Sequence, residues 1–596
     1  DDDFFTLGGN SLLATQVAAR LAARTGRGVT VRIVFDNPVV EQLAAQLEAD
    51  PELTDPLPEL TVDAPMPESA PLSAAQQRMW FLNRFDPESA ADNIALAVRL
   101  TGELDVDAFT AAISDVVVRH AALRSSYPDG PDGPRHRVHD VDAVPIVVRD
   151  EFDPAAATTE LRRLAMTGFD VTTTVPVRIM LLRTSMHAEP GHLHTRREQA
   201  TIGEWVFAVA AHHISVDGWS LTVLARDVFT AYHARLSGAE PFVGRPVLQY
   251  PSFAAWQQQL LGDHVDPAAL VSRQERYWAE RLRHAPDRLE LPTDRPRPAV
   301  LSTRGRTIEA QLGSDVRVGL EELARSTGTS LFMVMHAAYA VLLARLAGTD
   351  DVVIGSPVAG RGLPVLDDVV GMFAGTLALR TRVRPGESFI DLLARVRDDD
   401  LDDFAQADVP FERVVEVVSP ARSTAHHPLF QAAMSFQNLQ SEDFELPGVT
   451  ARPLDIDLDV AKFDLHLTVL AGNDGQAGDG LAGDGGTGTA DGEHELGAEL
   501  DVTWTYATDL YDESTVRKFA DTFARVLSLI VFDPDLPVGD IDLLGPSERS
   551  RLVRATNMTD HPHPAVTLYD LVCTGAAADP DAVGVIDGAT QLTYAE

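Results

Sequence analysis

The chain of 596 residues has a single cysteine and far fewer basic than acidic side chains. One cysteine, Cys573, excludes an intramolecular disulfide framework and any site that needs several cysteine ligands. It lies in the apolar segment TLYDLVCTGAA, which predicts a small buried residue rather than a nucleophile. Lys and Arg number 49 against 89 Asp and Glu, a formal net charge of -40. Nucleic acid is therefore not an expected partner, because clustered basic side chains are what bind a phosphate backbone.

The sequence also lacks a long apolar run. No uninterrupted apolar segment approaches the ~20 residues that span a bilayer. The amino terminus, DDDFFTLGGN, has no basic segment followed by an apolar one. Hydrophobic residues make up 45% and charged residues 23%, as in soluble globular proteins. We therefore expect neither a membrane span nor export, and we predict a cytoplasmic protein.

The length predicts several domains, because a single hydrophobic core stops growing at roughly 250 to 300 residues. Helical periodicity, a proline- and acid-rich stretch and a long mixed α/β region follow one another along the chain. The predicted bounds are a small helical unit at 1–50, a linker at 51–69, an α/β region at 70–540, a linker at 541–564 and the start of a further domain at 565–596.

The α/β region is itself too long for one core, so we predict two lobes, at about 70–240 and 241–540. Strand-like runs such as WVFAVAA at 205–211 alternate with helical runs. The helical run at 331–348 is apolar nearly all round, which predicts a buried helix. Residues 471–497 are rich in glycine and acid and have no means of building a core, which predicts a mobile surface insertion that is dispensable for activity.

The segment DDDFFTLGGNSLLATQVAARLA places Ser11 behind a double glycine and at the start of an amphipathic helix. The exposed amides and the dipole of a helix start favour a phosphate ester. Serine is also a common helix N-cap, so the position alone leaves both interpretations open.

A second polar segment, HHISVDGWS, follows the strand-like run and contains His212, His213, Asp217 and Gly218. Histidine titrates near neutral pH and a carboxylate fixes local geometry, so a catalytic corner is one interpretation. Adjacent histidines on an extended chain point to opposite faces, which disfavours a shared metal ion. A purely structural histidine pair is the remaining alternative.

Both segments resemble motifs of nonribosomal peptide synthetases. The first is similar to the peptidyl carrier signature D-x-F-F-x-L-G-G-x-S-L, and the second resembles the HHxxxDG motif of condensation domains, relatives of chloramphenicol acetyltransferase. Further resemblances follow in family order, at PLSAAQQRMWFL from Pro71, RHAALRSSY from Arg119, QYPSFAAWQ around Tyr250, VGMFAGTLALR from Val370, DVPFERVV from Asp408 and HPLFQ from His427.

The resemblance implies a fold. A truncated all-α carrier bundle is followed by an α/β condensation domain of two chloramphenicol-acetyltransferase-like lobes arranged as a V. Carriers of this family have a helix ahead of the motif, and this chain begins inside the motif, so we expect an incomplete carrier. The carboxyl-terminal segment ending in Leu592–Glu596 resembles the start of an adenylation domain.

The resemblance also implies an activity in secondary-metabolite biosynthesis, such as that of an antibiotic or a siderophore. A phosphopantetheinyl transferase attaches 4′-phosphopantetheine to Ser11, which then presents a donor acyl or peptidyl thioester. The condensation domain joins this donor to the amino group of an acceptor on a downstream carrier. The implied partners are the upstream and downstream synthetase modules.

The family motifs assign roles to individual residues. His213 is the expected general base or the hydrogen-bond acceptor that positions the amine, with His212 beside it. Asp217 is expected to hold the loop through an arginine, for which Arg361 is a candidate, and Gly218 to permit its turn. No metal is implied. The remaining residues expected to be structural or to line the tunnel are Arg78, Arg119, Arg124, Trp219 and Gly375.

Three related functions compete with condensation. An epimerisation domain shares HHxxxDG, but its carrier usually reads GGDS, whereas this chain has Asn10 in GGNS. A heterocyclisation domain replaces both histidines with aspartates. A non-catalytic platform that recruits another enzyme would not need His212, His213 and Asp217. Two departures from the family, Phe373–Thr376 in place of F-V-N-T and Gln406–Asp408 in place of H-Q-D, bear on substrate shape.

Overall fold

We describe the protein from a computed structural model. It describes residues 2–5, 7, 9, 11–25, 29–49, 58, 60–131, 133–150, 154–184, 204–244, 246–421, 423–437, 446–454, 459–470, 499–559 and 566–596. The predicted insertion at 471–497 lies outside these residues, as do residues 51–57 and 59 of the predicted linker at 51–69. The chain divides into two compact units, Asp1–Ile541 and Asp542–Glu596.

The first unit begins with three helices, α1 (Ser11–Thr25), α2 (Val31–Asp36) and α3 (Val40–Ala49). The sequence periodicity predicts α1 and α3, whereas the six-residue α2 is too short to give a periodic signal. Phe5 and Phe35 close this small core, with ring centroids 4.5 Å apart. The amide of Phe4 donates to the carbonyl of Pro38, which ties the start of the chain to the loop ahead of α3.

A five-stranded sheet forms the first lobe, in the order β11-β1-β6-β5-β4. Its elements are α4 (Ala74–Phe85), β1 (Asn93–Gly102), α5 (Val106–Arg119), β2 (Ser125–Ser126), β3 (Arg137–Val138), β4 (Ile146–Asp150), α6 (Pro154–Met166), β5 (Val177–Thr184), β6 (Glu204–His212), α7 (Gly218–Leu236) and α8 (Tyr250–Leu261), with β2 and β3 paired separately. The next helix, α9 (Leu270–Arg281), packs through Val271 and Trp278 into a core cluster of the second lobe.

Strand β6 reads as a continuous apolar run because both faces of the sheet are covered. Trp205 and Phe207 pack into a cluster with residues of α5 and α7. Val206 and Ala208 point the other way and pack with Leu161 of α6. The predicted strand at 205–211 is therefore present, and the histidine segment follows directly from its end at the centre of the lobe.

A six-stranded sheet forms the second lobe, in the order β7-β13-β12-β10-β8-β9. Its elements are β7 (Gly305–Leu312), α10 (Ser314–Ser326), α11 (Leu331–Ala347), β8 (Asp351–Val358), β9 (Gly375–Arg382), α12 (Phe389–Phe404), α13 (Phe411–Val418), β10 (Ala432–Gln437), β12 (Leu465–Leu470), β13 (Leu500–Ala507) and α14 (Glu513–Phe532). Strand β11 (Val449–Pro453) lies between β10 and β12 in sequence but belongs to the first sheet.

Helix α11 is buried around its whole circumference from Met333 to Ala344, as its composition predicts. It begins at the N-cap Ser330, whose hydroxyl accepts from the amide of Met333, and ends at Gly348 with a left-handed φ of 65°. No single helix among the residues described is long and apolar enough to cross a membrane. Together α10 and α11 meet the length and composition limits, but they are bent by 108°.

Strand β11 crosses from the second half of the chain into the first sheet. It pairs antiparallel with β1, with Val98 opposite Pro453 and Gly102 opposite Val449. The predicted lobe bounds of 70–240 and 241–540 make no allowance for this exchange. Short edge strands carry little local signal, and the paired residues are at least 347 positions apart in sequence, the separation of Gly102 and Val449 (449 − 102).

The second unit contains α15 (Pro546–Ser550), α16 (Leu568–Ala578) and a hairpin of β14 (Val583–Asp587) and β15 (Thr590–Thr593). None of its described side chains is buried. The prediction that Cys573 is buried is therefore wrong, since its side chain is exposed on α16. The resemblance of this unit to an adenylation start stays a prediction.

Candidate active site

The two histidines of HHISVDG lie where β6 ends and α7 has not yet begun. Asn93, the first residue of β1, is the register partner of His212. His212 is buried, and its Nδ1 accepts a hydrogen bond from the amide of Ile214 at 3.1 Å. The amide of His213 donates to the carbonyl of Asp92 at 2.8 Å. The backbone of neighbouring segments thus fixes both histidines.

His213 alone is partly exposed between His212 and Asp217, where every other residue is buried. Its Nδ1 is itself buried and has no hydrogen-bond partner among the described residues. A buried polar atom without a partner carries a desolvation cost, which a bound ligand offsets if it supplies the missing hydrogen bond. Among residues 212–217, His213 is therefore the residue that solvent partly reaches, and its buried nitrogen retains an unused capacity for a hydrogen bond.

Both histidines are neutral at neutral pH. Burial, assisted by the nearby cation of Lys462, lowers the pKa of His213 to about 4, against the opposing carboxylates of Asp217 and Asp92. Burial also lowers the pKa of His212 to about 4, although the carboxylate of Asp92 opposes this shift. A neutral imidazole retains one nitrogen that accepts a hydrogen bond, which the imidazolium form lacks.

Asp217 is the N-cap of α7 and is saturated with hydrogen bonds. Its Oδ1 accepts from the amide of Ser220 at 2.8 Å and from the Ser220 hydroxyl at 2.6 Å. Arg361 donates to Oδ1 at 3.0 Å and to Oδ2 at 3.3 Å. The amide of Phe373 donates to Oδ2 at 3.1 Å. With only 3% of its side chain exposed, this carboxylate has no free lone pair that faces a substrate.

Arg361 extends the attachment of the loop into the second half of the chain. Its Nη1 donates to the carbonyls of Leu366 and Val369 at 2.6 and 2.7 Å, and its guanidinium lies over the ring of Phe373 at 4.0 Å. The indole of Trp219 donates to the carbonyl of Asp367 at 3.0 Å. The segment 361–373 is thereby bonded to both Asp217 and the first turn of α7. The sequence-based candidate Arg361 contacts Asp217 in the structure.

The opening family motif supports the same loop from the other side. The side-chain amide of Gln76 donates to the carbonyl of Ile214 at 2.9 Å, and its oxygen lies 2.8 Å from Nε2 of His136. The hydroxyl of Tyr127 is 2.8 Å from that of Ser215. Trp80 donates to the carbonyl of Tyr127, so segments far apart in sequence converge on 214–215.

The sequence analysis missed an ion pair between Lys462 and Asp92. The Nζ of Lys462 lies 2.8 Å from Oδ1 of Asp92, whose carbonyl holds the amide of His213. Burial raises the pKa of the Asp92 carboxyl, but the nearby cation of Lys462 outweighs this effect and the pKa falls to about 2. A signal was present, because Lys462 and Lys518 are the only two lysines of the chain.

Gly218 has a different place from the one expected. It is the first residue of α7 and is not among the glycines with a left-handed backbone, so its turn does not require glycine. A Cβ built on it meets no atom of the described residues within 4 Å. The prediction that the turn needs a glycine at position 218 is therefore wrong. The missing side chain of Gly218 instead leaves open space beside Asp217.

The other predicted tunnel residues serve separate contacts. Arg78 pairs with Glu412 at 3.0 Å, which joins α4 to α13. Arg119 pairs with Asp227 of α7 at 2.8 Å. Arg124 donates to the carbonyl of His139 at 2.7 Å, and Gly375 is the first residue of β9. These contacts are structural, and a tunnel role for these residues stays a prediction.

The carrier motif brings Ser11 to the first residue of α1. The amide of Gly9 donates to the carbonyl of Phe4 at 2.9 Å. A Cβ on Gly9 would lie 2.4 Å from the Phe4 ring and 2.6 Å from its carbonyl oxygen, so only glycine fits. The resulting tight loop presents the start of a helix, whose amides favour a phosphate ester, and these residues fit 4′-phosphopantetheine.

Comparisons with known proteins agree with this arrangement. The condensation-domain family matches residues 66–476, and the phosphopantetheine attachment site family matches residues 1–47. The chain is 39% identical over 595 residues to a probable non-canonical nonribosomal peptide synthetase of Salinispora arenicola, and 38% identical over 599 residues to a dimodular nonribosomal peptide synthase of Bacillus subtilis. Both alignments cover 100% of this chain, which spans 7% and 24% of the length of these relatives.

Solved structures are similar as well. The X-domain in its complex with OxyB from teicoplanin biosynthesis aligns with a TM-score of 0.69 at 27% identity, covering 82% of this chain and 99% of that one. A four-domain nonribosomal peptide synthetase bound to AMP and glycine shares the fold, with a TM-score of 0.70 at 21% identity, covering 91% of this chain and 38% of that one.

These matches confirm the predicted fold class, the predicted family and the attached 4′-phosphopantetheine. Amide-bond formation is the general function of condensation domains, and such domains work with carrier domains and other synthetase modules. The chain therefore belongs to the condensation-domain family of nonribosomal peptide synthetases and carries a phosphopantetheine attachment domain ahead of its condensation domain.

Proposed function

We propose that this chain joins a donor acyl or peptidyl group carried on Ser11 to the amino group of an acceptor carried on a downstream carrier. The amine nitrogen replaces sulfur at the donor carbonyl carbon, and the proton lost by the amine leaves with the sulfur as a thiol. The observation that carries the proposal is the ring of His213, partly exposed in an otherwise buried loop, with a buried Nδ1 that no described residue bonds.

His213 orients the acceptor amine by accepting a hydrogen bond. A pKa of about 4 makes its imidazole too weak a base to take a proton from an α-ammonium group, whose reference pKa is about 7.7 to 8.0. The same low pKa keeps the ring neutral and hence able to accept from the free amine. Of the two roles that the sequence leaves open, positioning agrees better with this environment.

Asp217 acts through the loop and not on the substrate. Its lone pairs are occupied by Ser220, Arg361 and Phe373, so it positions His213 by fixing the start of α7. When bound, 4′-phosphopantetheine supplies the thiol that carries the donor as a thioester. The proposal has two further parts. A phosphopantetheinyl transferase modifies Ser11, and the protein is cytoplasmic, a location that the single cysteine supports.

A recruitment platform is the second candidate, because one similar structure is an X-domain in complex with another protein, OxyB. The intact histidine pair and the saturated Asp217 support condensation over that function, and Asn10 in GGNS supports it over epimerisation. A single-turnover assay with a loaded carrier and an acceptor thioester mimic separates them. Amide product supports condensation, an epimerised donor supports epimerisation, and no change in the donor supports a platform.

Ser11→Ala should abolish attachment of the arm, because we assign the phosphate ester to this hydroxyl. The test is intact-protein mass after treatment of the full chain with a phosphopantetheinyl transferase and coenzyme A. We expect one added arm in wild type and none in the variant. A mass increase that survives Ser11→Ala would show that another residue is modified.

His213→Ala should slow single-turnover amide formation by about a hundredfold, because the amine is no longer held in position to attack the donor carbonyl. Because the ring is partly exposed, we expect the melting temperature to change little. His233→Ala, an exposed histidine on α7, is the matched control and should leave the rate unchanged. A near-wild-type rate for His213→Ala would remove this residue from the proposal.

Asp217→Ala should destabilise the protein, since it leaves the buried Arg361 guanidinium uncompensated, at a cost of roughly 3 to 5 kcal/mol. Asp105→Ala is a matched control, because Asp105 caps α5 but is exposed and faces no buried cation, and should cost only about 1 kcal/mol. Denaturant unfolding and thermal melts measure both. If Asp217→Ala melts like wild type while losing all activity, the carboxylate belongs to the chemistry.

Lys462→Met should raise the pKa of His213 above about 4, toward the ordinary histidine value, because it removes a cation that disfavours the imidazolium. Since the neutral ring is the active form, activity is lost as pH falls through this pKa, so the variant should lose activity at a higher pH than wild type. NMR titration of the His213 ring, identified by its absence in His213→Ala, measures the shift directly. Lys462→Arg keeps the charge and should keep the pKa low. Equal His213 titration in all three proteins would contradict the assignment.

A further inference from the structure

The carrier helix α2 and helix α12 of the second lobe exchange ion pairs in both directions. Arg32 of α2 lies 2.9 Å from Asp402 and 3.5 Å from Asp398, and it also donates to the Asp398 carbonyl at 2.7 Å. Arg397 of α12 lies 2.6 Å from Asp36 of α2. Each helix therefore contributes a cation and an anion to the other, a reciprocal arrangement that we name the charge clasp.

The spacing of the clasp follows from helix geometry. Arg32 and Asp36 are four residues apart, as are Asp398 and Asp402, so each pair lies on one face of its helix. Phe35, the neighbour of Asp36, is buried in the carrier core. Helix α2 thus presents its charged face to α12 while its apolar side holds the carrier together.

A second contact lies beside the clasp. Gln16, Ala19 and Arg20 of α1 line a crevice with residues 361–364 and Asp367 of the condensation domain. Burial raises the pKa of Asp367, and the cation of Arg20 opposes that rise. The carbonyl of Asp367 accepts from Trp219, at the first turn of α7. The carrier therefore contacts the outer side of the segment whose inner side holds Asp217.

The charge of the chain makes these pairs selective. With a formal net charge of -40, acidic surfaces of this protein repel one another unless opposite charges are matched. Helix α12 carries the run DDDLDD from Asp398, so a carrier with an acidic residue in place of Arg32 would be repelled. A carrier that lacks Asp36 would leave Arg397 with Asp398 of its own helix as its ion-pair partner and remove the ion pair of Arg397 with the carrier.

The exposure of the clasp suits a contact that must open. The side chains of Asp398 and Asp402 are 62% and 58% exposed, so solvent and salt weaken both pairs with Arg32. Exposed pairs of this kind set orientation and association rate more than they add to affinity. A carrier that visits several catalytic sites needs such a contact, because a tight interface would hold it in one place.

We propose that the charge clasp is the donor docking contact, which selects this chain's own carrier and seats it against the segment that fixes Asp217. The inference rests on the proposed function, since it names the surface through which the donor reaches His213. It assigns selection of the carrier to α2 and α12, outside the family motifs that the sequence displays.

The test is charge reversal in the full chain. Arg32→Glu and Asp402→Arg should each slow single-turnover condensation from the Ser11-bound donor by about three- to tenfold at low salt. The double variant, in which the two charges are exchanged, should recover most of the wild-type rate. At 1 M salt, where the screening length falls to about 3 Å, all four proteins should become similar. Glu41→Arg, an exposed charge reversal on α3, is the matched control and should have little effect.

A soluble donor thioester separates the clasp from the chemistry. Supplied in solution, it bypasses docking, so every variant should use it at the wild-type rate. The clasp is wrong if the single variants match wild type with the carrier-bound donor, if the double variant fails to recover, or if soluble donor is slowed equally. Failure of the wild type with both donors would instead refute the proposed function.

Discussion

The buried ion pair between Asp217 and Arg361 is the constraint on which the site depends. Both side chains are almost fully removed from solvent, where neither charge is tolerated alone. Arg361 also holds the carbonyls of Leu366 and Val369, while Asp217 caps α7. One pair therefore fixes the helix that follows the histidines and the segment that packs against it. Replacing it with apolar residues would leave these backbone groups without partners.

The electrostatic environment of the histidines follows from that construction. A rigid loop at the end of a strand that is covered on both faces leaves His212 and His213 little water, and burial keeps them neutral. The cation of Lys462 reinforces this neutral state, against the opposing carboxylate of Asp92. On our proposal, the site holds a neutral ring at a fixed position, where the ring accepts a hydrogen bond from the amine rather than acting as a general base.

The sequence predicted the residues of the site better than it predicted the contacts that hold them in place. HHISVDG and the carrier signature are contiguous, so their residues could be read directly, and Arg361 could be named because it lies in a family segment. The pair of Lys462 and Asp92 joins residues 370 positions apart, and no local pattern announces such a contact. Cys573 was misjudged because an apolar segment was assumed to have a core to enter. Helix α2 was missed because six residues give no measurable period.

Strand β11 has a mechanical consequence for the two lobes. The chain leaves the second lobe, pairs with β1 over five residues and returns to β12. Hydrogen bonds in such a ladder run perpendicular to the strands. Twisting one strand relative to its partner therefore deforms the ladder far less than pulling the two strands apart. The ladder is one of several links between the lobes, because the ion pairs of Arg361 with Asp217 and of Arg78 with Glu412 also join the two halves of the chain. A relative twist of the lobes would strain the ladder little but would have to break these side-chain contacts.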